Sequence, residues 1–198
     1  MAKQVALKPE EEELIRRLGF DPEVALHLKQ TAGSRLQRLT GYDRELDPIP
    51  VDGISFTAGP IKASRLVDTL SPDLRSKGYL MFLSEKNEGE GDDVVGVLKG
   101  TDQFEILRTK YTNGCNYDIG NADVIAKLKE WDERFGLVIL GADYDWVFFD
   151  FKTMPEDLGK FAEEASAFCP DLLEQEYDSI DEFTKFMRKA NGVYLWWD

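Results

Sequence analysis

Asp143 and Asp145 stand either side of one tyrosine in GADYDWVFFDF, with Asp150 five residues further on. Carboxylates this close can share a divalent cation or divide the roles of general acid and base. In LKGTDQFEILR, Lys99, Asp102 and Arg108 surround a glycine between a strand-like and a helix-like stretch. Polar groups at such a junction are placed to take a small ligand. The turn NGCNYD adds Asn113 and Asn116, whose amides both donate and accept. Each group also has a plainer account. Asp favours turns because it bonds its own backbone, Thr101 is placed to cap a helix, and asparagines build turns. The plainer account is preferred for all three.

Signatures of the common chemistries are absent from the sequence. It has no HExxH, Walker A loop, GxSxG elbow or GxGxxG after a strand. His27 is the only histidine, which removes most hydrolase triads and most zinc sites. It reads as a packed or half-exposed helix residue. Cys115 and Cys169 lie far apart and form no CxxC pair, so both read as free thiols. KNEGEGDD is dense in acids but lacks the D-x-[DN]-x-[DN]-G spacing of a calcium loop, and reads as a solvated turn. No cofactor or metal is implied, and the reading leans away from an enzyme.

Charge says more. Thirty-eight acids against 24 bases give a formal net charge of −14. Such a chain repels nucleic acid and anionic membrane, so neither is expected as a partner. From Asp143 to Glu182 there are 13 acids and only Lys152 and Lys160 as bases, whereas the first 45 residues carry eight of each. The acidity belongs to the C-terminal half. The N-terminus lacks the apolar core of a signal peptide, and no apolar run reaches the roughly 18 residues of a membrane span. A cytoplasmic protein is expected.

The elements that must position these groups alternate in type. Residues 1–50 read as a helical segment, with Pro9 opening one helix and Asp21 capping a second. DRELDPIPVDG reads as a linker. Residues 51–112 read as a first α/β lobe: the strand GISFTA, a helix from Ile61 to Lys77 broken near Ser71–Pro72, the strands YLMFLSE and VVGVLKG, and a helix capped by Thr101. Residues 113–198 read as a second lobe, compact with the first. Its order is strand CNYDI, a helix capped by Asn121, strands LVILGA and WVFFDF, a helix after Pro155, strand LLEQEY, a helix boxed by Ser179 and Glu182, and strand VYLWW. The first six are in the βαββαβ order of a ferredoxin-like lobe, with an extra helix and strand. The fold class expected is therefore α+β, with two packed α/β lobes and a helical N-terminus. VYLWW is apolar on both faces, as central strands are.

Five phrases, LKGTDQFEILRTKYTNGCNYDI, KLKEWDERFG, LVILGADYDWVFFDF, FCPDLLEQ and YLWWD, resemble in order a bacterial family catalogued as domain of unknown function 4253. The resemblance covers roughly residues 75 to 198. The matching positions are Asn116, Tyr117, Asp118, Trp131, Trp146, Cys169, Pro170, Trp196, Trp197 and Asp198. It implies a cytosolic protein in a family where some relatives are suspected of neutralising toxins. It carries over no catalytic residue.

Three functions are weighed. The first is a binding protein of toxin-immunity type that covers a basic partner, such as a nuclease, with Asp143, Asp145, Trp146, Glu174, Glu176, Asp178 and Asp181. The second is a small-molecule enzyme or sensor with a site near Lys99, Asp102 and Asn116. The third is an acidic housekeeping protein whose charge only keeps it soluble. The chain is expected to be a monomer or a homodimer.

Overall fold

The computed structural model describes residues 5–87 and 91–198, so residues 88–90 of the acidic KNEGEGDD segment lie outside the described residues. The chain divides into two compact units, Met1–Asp102 and Gln103–Asp198. Both mix helix and strand, in keeping with the expected α+β class.

The N-terminal unit opens with α1 (Pro9–Leu18) and α2 (Pro22–Ala32). Proline at the first position starts each, and a left-handed glycine, Gly19 or Gly33, stops each. The Glu11 carboxylate, 1% exposed, joins the pair. It accepts from Lys29 at 2.5 and 2.6 Å, from the Lys8 N–H at 2.7 Å and from the Leu36 N–H at 2.8 Å. Burial by itself raises this carboxyl, but the four bonds from these three donors hold it below its ordinary pKa.

Next come β1 (Gln37–Tyr42), β2 (Pro48–Ala58), α3 (Pro60–Ser76), β3 (Tyr79–Glu85) and β4 (Asp93–Lys99). The strands form an antiparallel sheet in the order β1-β2-β4-β3. Two expectations change here. Residues 37–42 and 48–50 are strand, joined by a turn at 43–47, and not helix or linker, because Leu36 and Leu39 are buried and Thr40, Gly41 and Tyr42 pair with Pro50, Ile49 and Pro48. The helix α3 runs unbroken through Pro72. Ser71 and Leu74 are buried on its packed face, and the Ser71 hydroxyl donates to the Met81 carbonyl at 3.1 Å.

The C-terminal unit contains α4 (Glu105–Lys110), a 3-10 turn at Cys115–Tyr117, α5 (Asn121–Phe135), β5 (Leu137–Ala142), β6 (Trp146–Phe151), α6 (Leu158–Phe168), a π-helical turn at Leu172–Glu176, α7 (Ile180–Ala190) and β7 (Gly192–Trp196). Its strands pair antiparallel in the order β5-β6-β7. The core is aromatic. Trp131 is fully buried, with the Phe161 ring 5.0 Å and the Phe149 ring 6.1 Å away, and its indole N–H donates to Glu164 at 2.7 Å.

Two segments read as strands are not strands, so the ferredoxin-like order is not completed. CNYDI turns because the Asn113 side chain accepts the Cys115 N–H at 3.1 Å and Asp118 is left-handed at φ 56°; one isolated bridge, Gly114 to Ile119, remains. LLEQEY turns because the Pro170 carbonyl takes the N–H of both Leu173 and Glu174.

The caps also differ. Thr101 is exposed and caps nothing: Gln103 is held by β5, its amide donating to the Leu137 carbonyl at 3.1 Å and accepting the Ile139 N–H at 3.0 Å, so the helix begins only at Glu105. Asn121 is the first residue of α5, not its cap, and its amide reaches back to the carbonyls of Leu107 and Thr112. Finally, β7 ends the strand order instead of lying centrally. Val193, Leu195 and Trp197 are buried, while Tyr194 and Trp196 are half-buried.

Candidate functional site

The loop after α4 is sewn to the β5–β6 turn by polar contacts. Lys110, with no exposed surface, is 3.0 Å from Asp143, itself 8% exposed. The Thr112 hydroxyl donates to the Asp143 carbonyl at 2.7 Å, and the Asn113 N–H to the Tyr144 carbonyl at 2.8 Å. The Asn113 amide adds bonds to the carbonyls of Tyr111 and Tyr144. Asp143 is thus a partner of a buried cation and not a surface charge. Trp146 is buried too, its ring 5.7 Å from that of Tyr194. Of this hairpin's carboxylates Asp145 and Asp150 remain half-exposed, Asp150 on β6 and Asp145 in the turn beside the exposed Tyr144, whose phenol Asp145 pushes above the ordinary pKa.

A second junction forms around Asp171, 1% exposed. One carboxylate oxygen accepts the Tyr117 hydroxyl at 2.8 Å and the Gln175 amide at 2.6 Å, and the other accepts the Asp198 N–H at 3.0 Å. Burial by itself raises this carboxyl, but the bonds from Asp198, Tyr117 and Gln175 bring it below its ordinary pKa. The Tyr117 phenol, donating to a charged oxygen, is pushed up to about 12. Asn116 donates to the Asp198 carbonyl, and the Trp197 N–H to the Asp145 carbonyl at 2.9 Å. Gly114 lies so close to the Trp197 ring that a Cβ there would sit 2.7 Å from it. Three stretches far apart in sequence, 113–118, 169–175 and 196–198, therefore meet at one buried carboxylate.

The π-helical turn brings four consecutive residues, Leu173 to Glu176, to the surface. Leu172 before them and Tyr177 after them are buried, and Tyr177 stacks on Phe183 at 5.0 Å. The ridge continues through Asp178 into the first turn of α7 at Asp181 and Glu182, with Ser179 accepting the Glu182 N–H. Glu174, Glu176, Asp178 and Asp181 are all exposed, and none forms a salt bridge among the described residues. The sequence-predicted acids thus separate: four gather on this ridge, and Asp143 leaves for the interior.

The other candidates fall in different places. The Lys99 ammonium donates to the Gly19 carbonyl at 2.7 Å and so closes the end of α1. Asp102 is the exposed last residue of the N-terminal unit, whereas Asn116 belongs to the C-terminal unit. His27 is exposed on α2. Cys169 is buried, its thiol pushed up to about 12 chiefly by that burial, so it is no thiolate nucleophile at neutral pH; Cys115 is exposed. Among the described residues no three His, Cys, Asp or Glu side chains group to hold a metal, and no helix is long and apolar enough to cross a membrane.

A family model matches residues 94–198. The chain belongs to the family described as domain of unknown function DUF4253. This agrees with the resemblance carried by the five sequence phrases. The matched region begins inside β4 and runs through the whole C-terminal unit, so both polar junctions and the ridge lie within it. Comparison with curated proteins and with solved structures gave no match.

Lys110 and Asp171 were not singled out from sequence. A lysine in a short amphipathic helix and an aspartate after a proline carry no local mark. Their partners lie tens of residues away, at Asp143, Tyr117 and Asp198.

Proposed function

We propose that this DUF4253 protein works by binding a basic protein surface with the ridge from Leu173 to Glu182, as a charge-complementary neutraliser. One observation carries the reading. Glu174, Glu176, Asp178 and Asp181 are four exposed carboxylates within eight residues, without salt bridges, while Glu11, Asp143 and Asp171 are consumed by internal partners. Exposed carboxylates of one sign raise the encounter rate with a cationic partner without adding much fold stability. Leu173, 38% exposed, adds an apolar contact within the run. Nucleases and other phosphate-binding toxins present the complementary basic surface.

A cytoplasmic setting, in which such a partner would be met, is part of the same proposal. The test is a pull-down from bacterial lysate with the wild type and with a variant in which Glu174, Glu176, Asp178 and Asp181 are all replaced by Lys. The reading expects a stoichiometric basic protein that is retained by the wild type at low salt, is released at high salt, and is not retained by the variant. Equal retention of the same protein by both chains would overturn it.

A further inference from the structure

We infer that Asp171 is the positioning residue of this ridge: its buried carboxylate fixes the π-helical turn and so sets how Leu173, Glu174 and Glu176 meet a partner. The inference rests on the binding role proposed above. A regular α-helix turns about 100° per residue, and a stretch of four would carry at least one side chain towards the core. The wider i→i+5 turn avoids this. Here the Tyr177 N–H donates to the Leu172 carbonyl at 2.8 Å, and every residue from Leu173 to Glu176 is exposed between two buried anchors.

Nothing local to LLEQE demands so wide a turn, since Leu, Glu and Gln are all good α-helix formers. The constraint comes from outside. Gln175 is drawn back to Asp171 at 2.6 Å, while Tyr117 and the Asp198 N–H hold the same carboxylate from the loop and from the chain segment after β7. With three donors from three segments, the carboxylate cannot move to follow a tightening helix. It has no surface with which to touch a partner, so its effect on binding is exerted through the turn.

The test is hydrogen–deuterium exchange of the full chain, read at the amides of residues 173–177, in Asp171→Asn and in the double variant Tyr117→Phe, Gln175→Ala. The second keeps the carboxylate and serves if the first does not fold. Exchange in the turn is expected to rise about ten-fold or more, the equivalent of one lost charge-assisted bond, while the α5 amides from Val124 to Leu128 stay as in the wild type. Ultraviolet titration of Tyr117 in Asp171→Asn should move from about 12 towards the ordinary 10, because the hydrogen bond to the Asp171 carboxylate is the chief cause of the raised value. Unchanged exchange at 173–177 in a folded variant overturns the inference. Failure of the binding role is told apart with an octa-arginine peptide. If the peptide binds the wild type and the four-lysine variant equally, the ridge is not the binding surface, whatever the exchange result.

Discussion

Two acidic turns in the C-terminal unit, one at Asp143–Asp145 and one at Asp171–Asp181, have similar composition and opposite fates. In the first, Asp143 is taken into the interior and matched with Lys110. In the second, Asp171 alone is taken in, and the four acids after it stay in water without salt bridges. Buried carboxylates are tolerated only with donors, and each here is surrounded by them. Exposed ones gain little from pairing, so their charge stays facing water. Acidity in this protein is thus of two kinds, one holding the fold and one facing outward.

The sharpest way to break the comparison is to orphan a buried charge. Lys110→Met should cost about 3 to 5 kcal/mol in urea unfolding, because Asp143 is left without its cation, and the double variant Lys110→Met, Asp143→Leu should recover most of the loss. If the single variant were as stable as the wild type, the pair would be no part of what holds the hairpin. Next in size is Gly114→Ala. Its methyl would press on the Trp197 indole, and overpacking of this kind costs about 1 to 3 kcal/mol. A small effect would mean that the loop can shift away from the 196–198 segment at little cost.

A pH experiment separates the Asp171 junction from the ridge. Tyr117 titrates at about 12 in the folded chain against 10 for the free side chain. An acid with a raised folded pKa stabilises through its neutral form, so this contribution is full below pH 10 and disappears between about 10 and 12. Tyr117→Phe should flatten stability against pH across that window, and an unaltered slope would deny the Tyr117–Asp171 bond. The smallest effect on the fold is expected on the ridge itself. Glu174→Gln or Asp178→Asn should each change unfolding free energy by less than about 0.5 kcal/mol, as surface substitutions do. A larger loss in either would move that residue to the structural class.

Most of this frame is legible in the sequence. Pro9, Asp21, Gly33 and Ser179 announce helix ends by their own chemistry, and the short DYD turn between two apolar runs gives the β5–β6 hairpin. The two segments misread as strands share one cause. CNYDI and LLEQEY are β-compatible by composition, but their conformation is imposed by the side chains of Asn113 and Asp171, by the Pro170 carbonyl and by partners distant in sequence. The same holds for function: Asp143 and Asp181 look alike in the chain, and only the position of Lys110 tells them apart.

The most direct test of two kinds of acid is the association rate of the basic protein captured by the pull-down, measured by stopped flow against ionic strength. With the wild type the rate should fall steeply as salt rises, and the four-lysine variant should associate about ten-fold or more slowly at low salt, with the gap closing at high salt. An association rate that is independent of salt and identical in the two chains would contradict the account.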